Sequence, residues 1–219
     1  MTAEPGRDEL KERVLAAVRA TPSPPRAQTR SRSSALLVSA AVVPLLGFVA
    51  IGGFESGSRP PALIALTGAG ISAIALVSLW LALGTGGRML GRARLWLGAQ
   101  ALLAPLFFLG WKLWSSAAFV GMTEPTAERP GLRCLGLTLL LGSWPLLAFS
   151  LVRRRSDPTH PRMLGAALGV AAGSYAATLV DFWCPVGYPP HVLLGHILPL
   201  VALGLVGAWL GHRLLALPR

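Results

Sequence analysis

Six apolar stretches, separated by short polar segments rich in glycine and proline, dominate the 219-residue chain. They run from about Ala35 to Gly53, Ala62 to Gly84, Leu95 to Trp114, Leu135 to Val152, Met163 to Trp183 and Val192 to Leu215. A helix rises 1.5 Å per residue, so roughly 20 apolar residues cross the ~30 Å hydrocarbon layer of a bilayer. The pattern predicts an all-α integral membrane six-helix bundle over residues 34–216, preceded by a short N-terminal cytoplasmic tail over residues 1–33.

Within the tail the pattern changes. From Asp8, a fitting N-cap, to Ala20 the apolar residues Leu10, Val14 and Val18 recur every four positions with Leu15 beside them, which predicts a short amphipathic helix. So short a helix is marginal alone in water, and its stripe needs a partner groove or a lipid surface to cover it. The segment Thr21-Pro22-Ser23-Pro24-Pro25, followed by Arg26, Arg30 and Arg32, reads as a non-helical linker to the membrane.

Composition supports the membrane reading, since 53% of residues are hydrophobic and only 13% charged. The net charge of +11 does not indicate nucleic-acid binding, because the basic residues are scattered between apolar runs rather than gathered on one aqueous face. Their distribution instead sets orientation. Sixteen of the twenty, among them Arg88, Arg92, Arg94, Arg153, Arg154, Arg155 and Arg162, fall on the tail's side of the spans. Basic residues in short loops resist translocation, so both chain ends are expected in the cytoplasm and the protein in a bacterial inner membrane. The polar start gives no cleavable signal peptide, so the first span is expected to remain attached. Prolines 44, 105, 145 and 199 lie inside spans and are expected to bend them. Small residues recur at Gly165, Gly169 and Gly173, and at Gly204, Ala208 and His212 with Gly207 and Gly211 beside them. Such stripes let helices approach closely, within the bundle or between two copies in a homodimer.

Candidate chemistry gathers at the outer side. Cys134 opens the fourth span and Cys184 closes the fifth, so antiparallel neighbours would bring the two thiols to one surface, as a redox or sensing pair or as separate packers. His191 and His196 follow Cys184, and Asp181 precedes it by one turn. Cysteine, histidine and carboxylate together are ligands for a transition metal, so Cys184, His191, His196 and Asp181 form a possible metal site at the periplasmic face. Lys112 lies near the outer end of the third span, where it is expected to snorkel outward and pair with Glu124 or Glu128. No phosphate-binding loop, nucleophile elbow, zinc-protease motif or dinucleotide turn is present, so no enzyme activity is expected.

The chain resembles the NrsF-like membrane anti-sigma factors. The resemblance rests on Arg13 to Arg19 with the Pro-rich segment after it, Gly131 to Cys134, Trp144 to Arg155, Gly165 to Gly173, and Cys184-Pro185 with the His191 to Pro199 segment. It implies that the tail, through Leu10, Val14, Leu15 and Val18, holds an extracytoplasmic-function (ECF) sigma factor until an envelope, redox or light/singlet-oxygen signal reaches the membrane domain. It also implies that Cys134 and Cys184 are the sensing pair. The chain departs from zinc-binding anti-sigma factors in having no HxxxCxxC motif in the tail. The alternative is a membrane redox, metal- or haem-binding protein built on Cys134, Cys184, His191 and His196.

Overall fold

The structure, a computed structural model, describes residues 26–53, 60–84, 93–119, 131–154 and 159–216, together with Glu12 and Ala16. Its long elements are α1 (Arg26–Ala50), α2 (Pro61–Leu83), α3 (Arg94–Ala118), α4 (Leu132–Val152), α5 (Pro161–Trp183) and α6 (Pro189–Leu214). All six are long and apolar enough to cross a membrane, giving the expected all-α six-helix bundle. The chain divides into two compact units, Met1–Ala35 and Leu36–Arg219, and the second contains the packed body of the bundle. Leu10, Val14, Leu15 and Val18 lie outside the described residues.

Five of the helices begin within about three residues of the ends of the apolar runs, but α1 starts at Arg26 rather than Ala35. Arg30 and Arg32 are therefore helical, not part of a linker. A span already nucleates the helix, so each residue added to its end gains a hydrogen bond without a new nucleation cost. No proline interrupts between Pro25 and Pro44.

The core is centred on α5, the most enclosed of the six helices, while α1 is the most exposed. The α5–α6 contact is the tightest. A Cβ at Gly165 would overlap the Gly207 carbonyl, one at Gly169 the Leu203 carbonyl, and one at Gly211 the Pro161 carbonyl. The stripe predicted on α6 thus runs through Gly204, Gly207 and Gly211, all buried, whereas His212 is exposed. Lipid chains are as apolar as the helices, so association depends on van der Waals contact, and glycine permits the closest backbone approach.

Two apolar clusters mark the ends of the bundle. At the base, Ala82, Leu97, Leu164 and Leu215 pack together; at the opposite end, the crown, Phe48 packs with Cys134, Leu141, Leu179, Val180, Cys184 and Val186. Exposed Trp80, Trp96 and Trp209 ring the base at the level where amphipathic indoles favour a headgroup region. Polar contacts tie the helices between these ends. Gln100 donates from Nε2 to the Ala167 carbonyl at 3.3 Å, and the Trp111 indole donates to the Thr67 carbonyl at 3.3 Å while its ring covers Gly70. At the base, Arg153 donates to the Leu83 carbonyl at 3.5 Å, one of the carbonyls left open at the C-terminus of α2.

Gly207→Val should cost about 1–3 kcal/mol, because its side chain must displace α5 backbone. Gly110→Ala, which meets nothing within 4 Å, should stay within about 0.5 kcal/mol of the parent. Thermal unfolding of both variants in detergent, followed by circular dichroism, checks the difference.

Candidate functional site at the crown

The crown is assembled by two glycines and an irregular turn. Gly131, the residue before α4, has φ of 86°, and a Cβ there would press at 2.9 Å on the His191 carbonyl and at 3.1 Å on the Gly195 nitrogen. Gly195 in turn leaves only 3.0 Å between its own hypothetical Cβ and the Cβ of Cys134. The start of α4 therefore lies directly against α6, and Cys134, in the first turn of α4, is carried with it.

On α6, residues Leu193–Ile197 form a π-helical turn. Residues five apart on a regular α-helix point about 140° away from each other, which would separate His191 from His196. A π turn closes its hydrogen bond at the fifth residue, here from Leu198 N–H to the Leu193 carbonyl, and returns both imidazoles to one side. Their ring centroids lie 5.7 Å apart. Pro199, at the end of this turn, has no N–H, and its ring crowds the preceding carbonyls of a regular helix, which favours the wider turn.

Cys184 completes the group from the end of α5, where its backbone N–H caps the Val180 carbonyl at 2.9 Å. The donor atoms of Cys134, Cys184, His191 and His196 all lie within 4.8 Å of one another. Both sulfurs contact Nε2 of His191, Cys184 at 3.2 Å and Cys134 at 3.5 Å, and both cysteines are free thiols. His196 is fully buried and stacks on Phe108, with centroids 5.9 Å apart, yet among the described residues neither ring nitrogen has a hydrogen-bond partner. On the outer side Arg133 lies over the Trp183 ring at 4.4 Å.

The fold departs from the sequence-based expectation at two residues. Asp181 stands outside the cluster: its Oδ1 accepts a hydrogen bond from Lys112 Nζ in a buried ion pair between α3 and α5. Lys112 is buried and does not snorkel. A charge inside an apolar bundle is stabilised most by the nearest opposite charge, and the fold supplies Asp181. Their separation of 69 positions kept the pair out of local sequence patterns. Among the possible ligands, Cys134 takes the place expected for Asp181.

A family model described as NrsF, negative regulator of sigma F, matches residues 15–216. The chain belongs to this family. It is 38% identical over 87 residues to the anti-sigma-F factor NrsF of Caulobacter vibrioides, covering 39% of this chain and 37% of that protein. It is 30% identical over 111 residues to a probable anti-sigma-F factor NrsF of Azospira oryzae, covering 47% of this chain and 52% of that protein. The chain thus spans about a third to a half of the length of these curated NrsF relatives. No solved structure matches it.

The buried pair yields a test of this geometry. Lys112→Met or Asp181→Leu alone should cost about 3–5 kcal/mol by leaving one charge without its counter-ion, whereas the double variant should recover most of that loss. A double-mutant cycle on unfolding in detergent measures the non-additivity.

Proposed function

We propose that the chain is a membrane-bound anti-sigma factor whose membrane domain receives its signal as a transition-metal ion held by Cys134, Cys184, His191 and His196. The tail sequesters a sigma factor of the ECF class through Leu10, Val14, Leu15 and Val18, from an inner membrane with both chain ends in the cytoplasm. The tail assignment draws on the family and on the names of the relatives; the orientation draws on the basic residues. One observation carries the reading of the input. A chain of the NrsF family encloses four buried soft or borderline donors within 4.8 Å, one of them an imidazole whose nitrogens form no hydrogen bond among the described residues.

An unpartnered buried imidazole loses its hydration without compensation, and an ion would supply what is missing. Four ligands at about 2.0–2.3 Å around a tetrahedral ion lie about 3.3–3.8 Å apart, the range already reached by Cys134 and His191 at 3.5 Å. Two thiolates and two neutral imidazoles suit a zinc-type ion, which selects sulfur and nitrogen over oxygen. A disulfide between Cys134 and Cys184 would leave His196 as it stands, so metal binding accounts for more of the site.

Signalling requires that the ion favour one state of the membrane domain over another. Lowering sigma-factor affinity about a thousandfold needs a difference of roughly 4 kcal/mol between the states. An ion present at about a thousand times its dissociation constant contributes about 4.1 kcal/mol to the state that binds it, enough for this switch.

Purified protein should bind one cobalt(II) per chain and show the visible bands of a tetrahedral thiolate complex, which Cys134→Ser and His196→Gln remove. Both cysteines bind as thiolates and protons compete with the ion, so affinity should fall as pH drops. Colourless protein at neutral pH would defeat the metal input. For the tail, Val14→Glu with Val18→Glu should abolish capture of a sigma factor, and undiminished capture would rule out the gripping face.

A further inference from the structure

α1 is the most exposed of the six helices, and its buried face is a narrow stripe of Ala40, Pro44 and Phe48 at four-residue spacing. Only Phe48 is large. It is 1% exposed, and it lies in the apolar cluster that contains both Cys134 and Cys184. Its cluster neighbours Leu141, Val180 and Val186 belong to the same segments that carry those thiols, α4, α5 and the chain just past Cys184.

Phe48 is also fixed from its own side. α1 ends in a Schellman motif, with Gly52 at φ of 74°, Gly52 N–H donating to the Val49 carbonyl at 3.0 Å and Gly53 N–H donating to the Phe48 carbonyl at 3.0 Å. This folds Gly53 over the Phe48 ring so closely that any side chain there would meet it. The ring is held between its own helix cap and the walls of the thiol cluster. Further ties on this helix, among the described residues, are smaller: Ala40 and Leu36 pack into the cluster at the base, and the Tyr175 hydroxyl donates to the Ala41 carbonyl at 2.6 Å.

Resting on the proposed metal input, we infer that Phe48 is the positioning residue through which the state of the Cys134–Cys184 site sets the packing of α1, the span that leads to the tail. Drawing Cys134 and Cys184 toward one ion moves α4 against the end of α5, and the seat of Phe48 is built from both. Close-packed side chains respond to such a shift by repacking rather than by deforming smoothly. α1 has few other contacts in an environment where lipid replaces protein at little cost, so its order depends on that seat.

Hydrogen exchange of the full-length protein in detergent tests the coupling. The site is perturbed by Cys134→Ser, and the readout is the exchange of α1 amides between Leu36 and Ala50 with and without that change. In the otherwise native chain Cys134→Ser should accelerate α1 exchange at least tenfold. With Phe48→Ala the ratio should fall below twofold, while Phe48→Leu restores part of it. Exchange in α5 should stay the same in all variants, which reports an intact fold. Gly53→Ala, which pushes the ring from its own helix cap and leaves the four donor side chains in place in the sequence, should lower the ratio, and it decides the matter if Phe48→Ala fails to fold. A wild-type ratio near one, or a full tenfold ratio in both Phe48→Ala and Gly53→Ala, overturns the inference. Cobalt binding is read on the same samples: its absence in the native chain sinks the metal input, whereas its presence with uncoupled exchange sinks only the role of Phe48.

Discussion

Helices in lipid gain little by exchanging one apolar neighbour for another, so the bundle depends on how closely α5 and α6 can approach. Gly165, Gly169, Gly207 and Gly211 clear side chains from the closest points of contact, and there backbone meets backbone. The remaining helices are arranged around that seam. α2, α3 and α4 each pack on α5, and α4 reaches the π turn of α6 at the crown. The position of the thiol–imidazole cluster is a result of this order: Cys184 ends one helix of the seam, His191 and His196 begin the other, and Cys134 is brought in by the α4 contact.

Within this apolar frame, several polar side chains reach a partner on a neighbouring helix. Gln100 and Trp111 reach backbone carbonyls of neighbouring helices, Arg153 reaches the end of α2, and Lys112 reaches Asp181. His196 is enclosed as fully, and among the described residues neither of its ring nitrogens forms a hydrogen bond within normal geometry. Thr138, Ser174 and the Trp144 indole share this lack, but among the described residues His196 is the one of these that lies beside two thiols and a second imidazole.

Hydropathy alone placed the six spans, because roughly twenty consecutive apolar residues leave few alternatives. The start of α1 was not legible, since Arg26 to Ser34 is polar and its helix is an extension of the span rather than a pattern of its own. The gathering of Cys184, His191 and His196 could be anticipated from their closeness in sequence. Cys134 could be placed only at the same membrane surface, from helix alternation. What patterns could not reveal were features set by tertiary contact: the Lys112–Asp181 pair, the choice of Gly207 and Gly211 over Ala208 and His212, and the π turn. Pro199 was the one local signal for that turn, and by itself it predicts only a bend.

The enclosure of the thiols also sorts the molecules that can reach them. Cys134 is 2% exposed and Cys184 1%. Thiol–disulfide exchange needs the attacking sulfur to approach a disulfide directly, and a tripeptide disulfide cannot present itself to sulfur atoms beneath this much packed surface. Bare ions and diatomic-sized oxidants face a far weaker steric barrier. The crown therefore acts as a size filter, insulating the two cysteines from the bulk thiol pool whatever its redox balance.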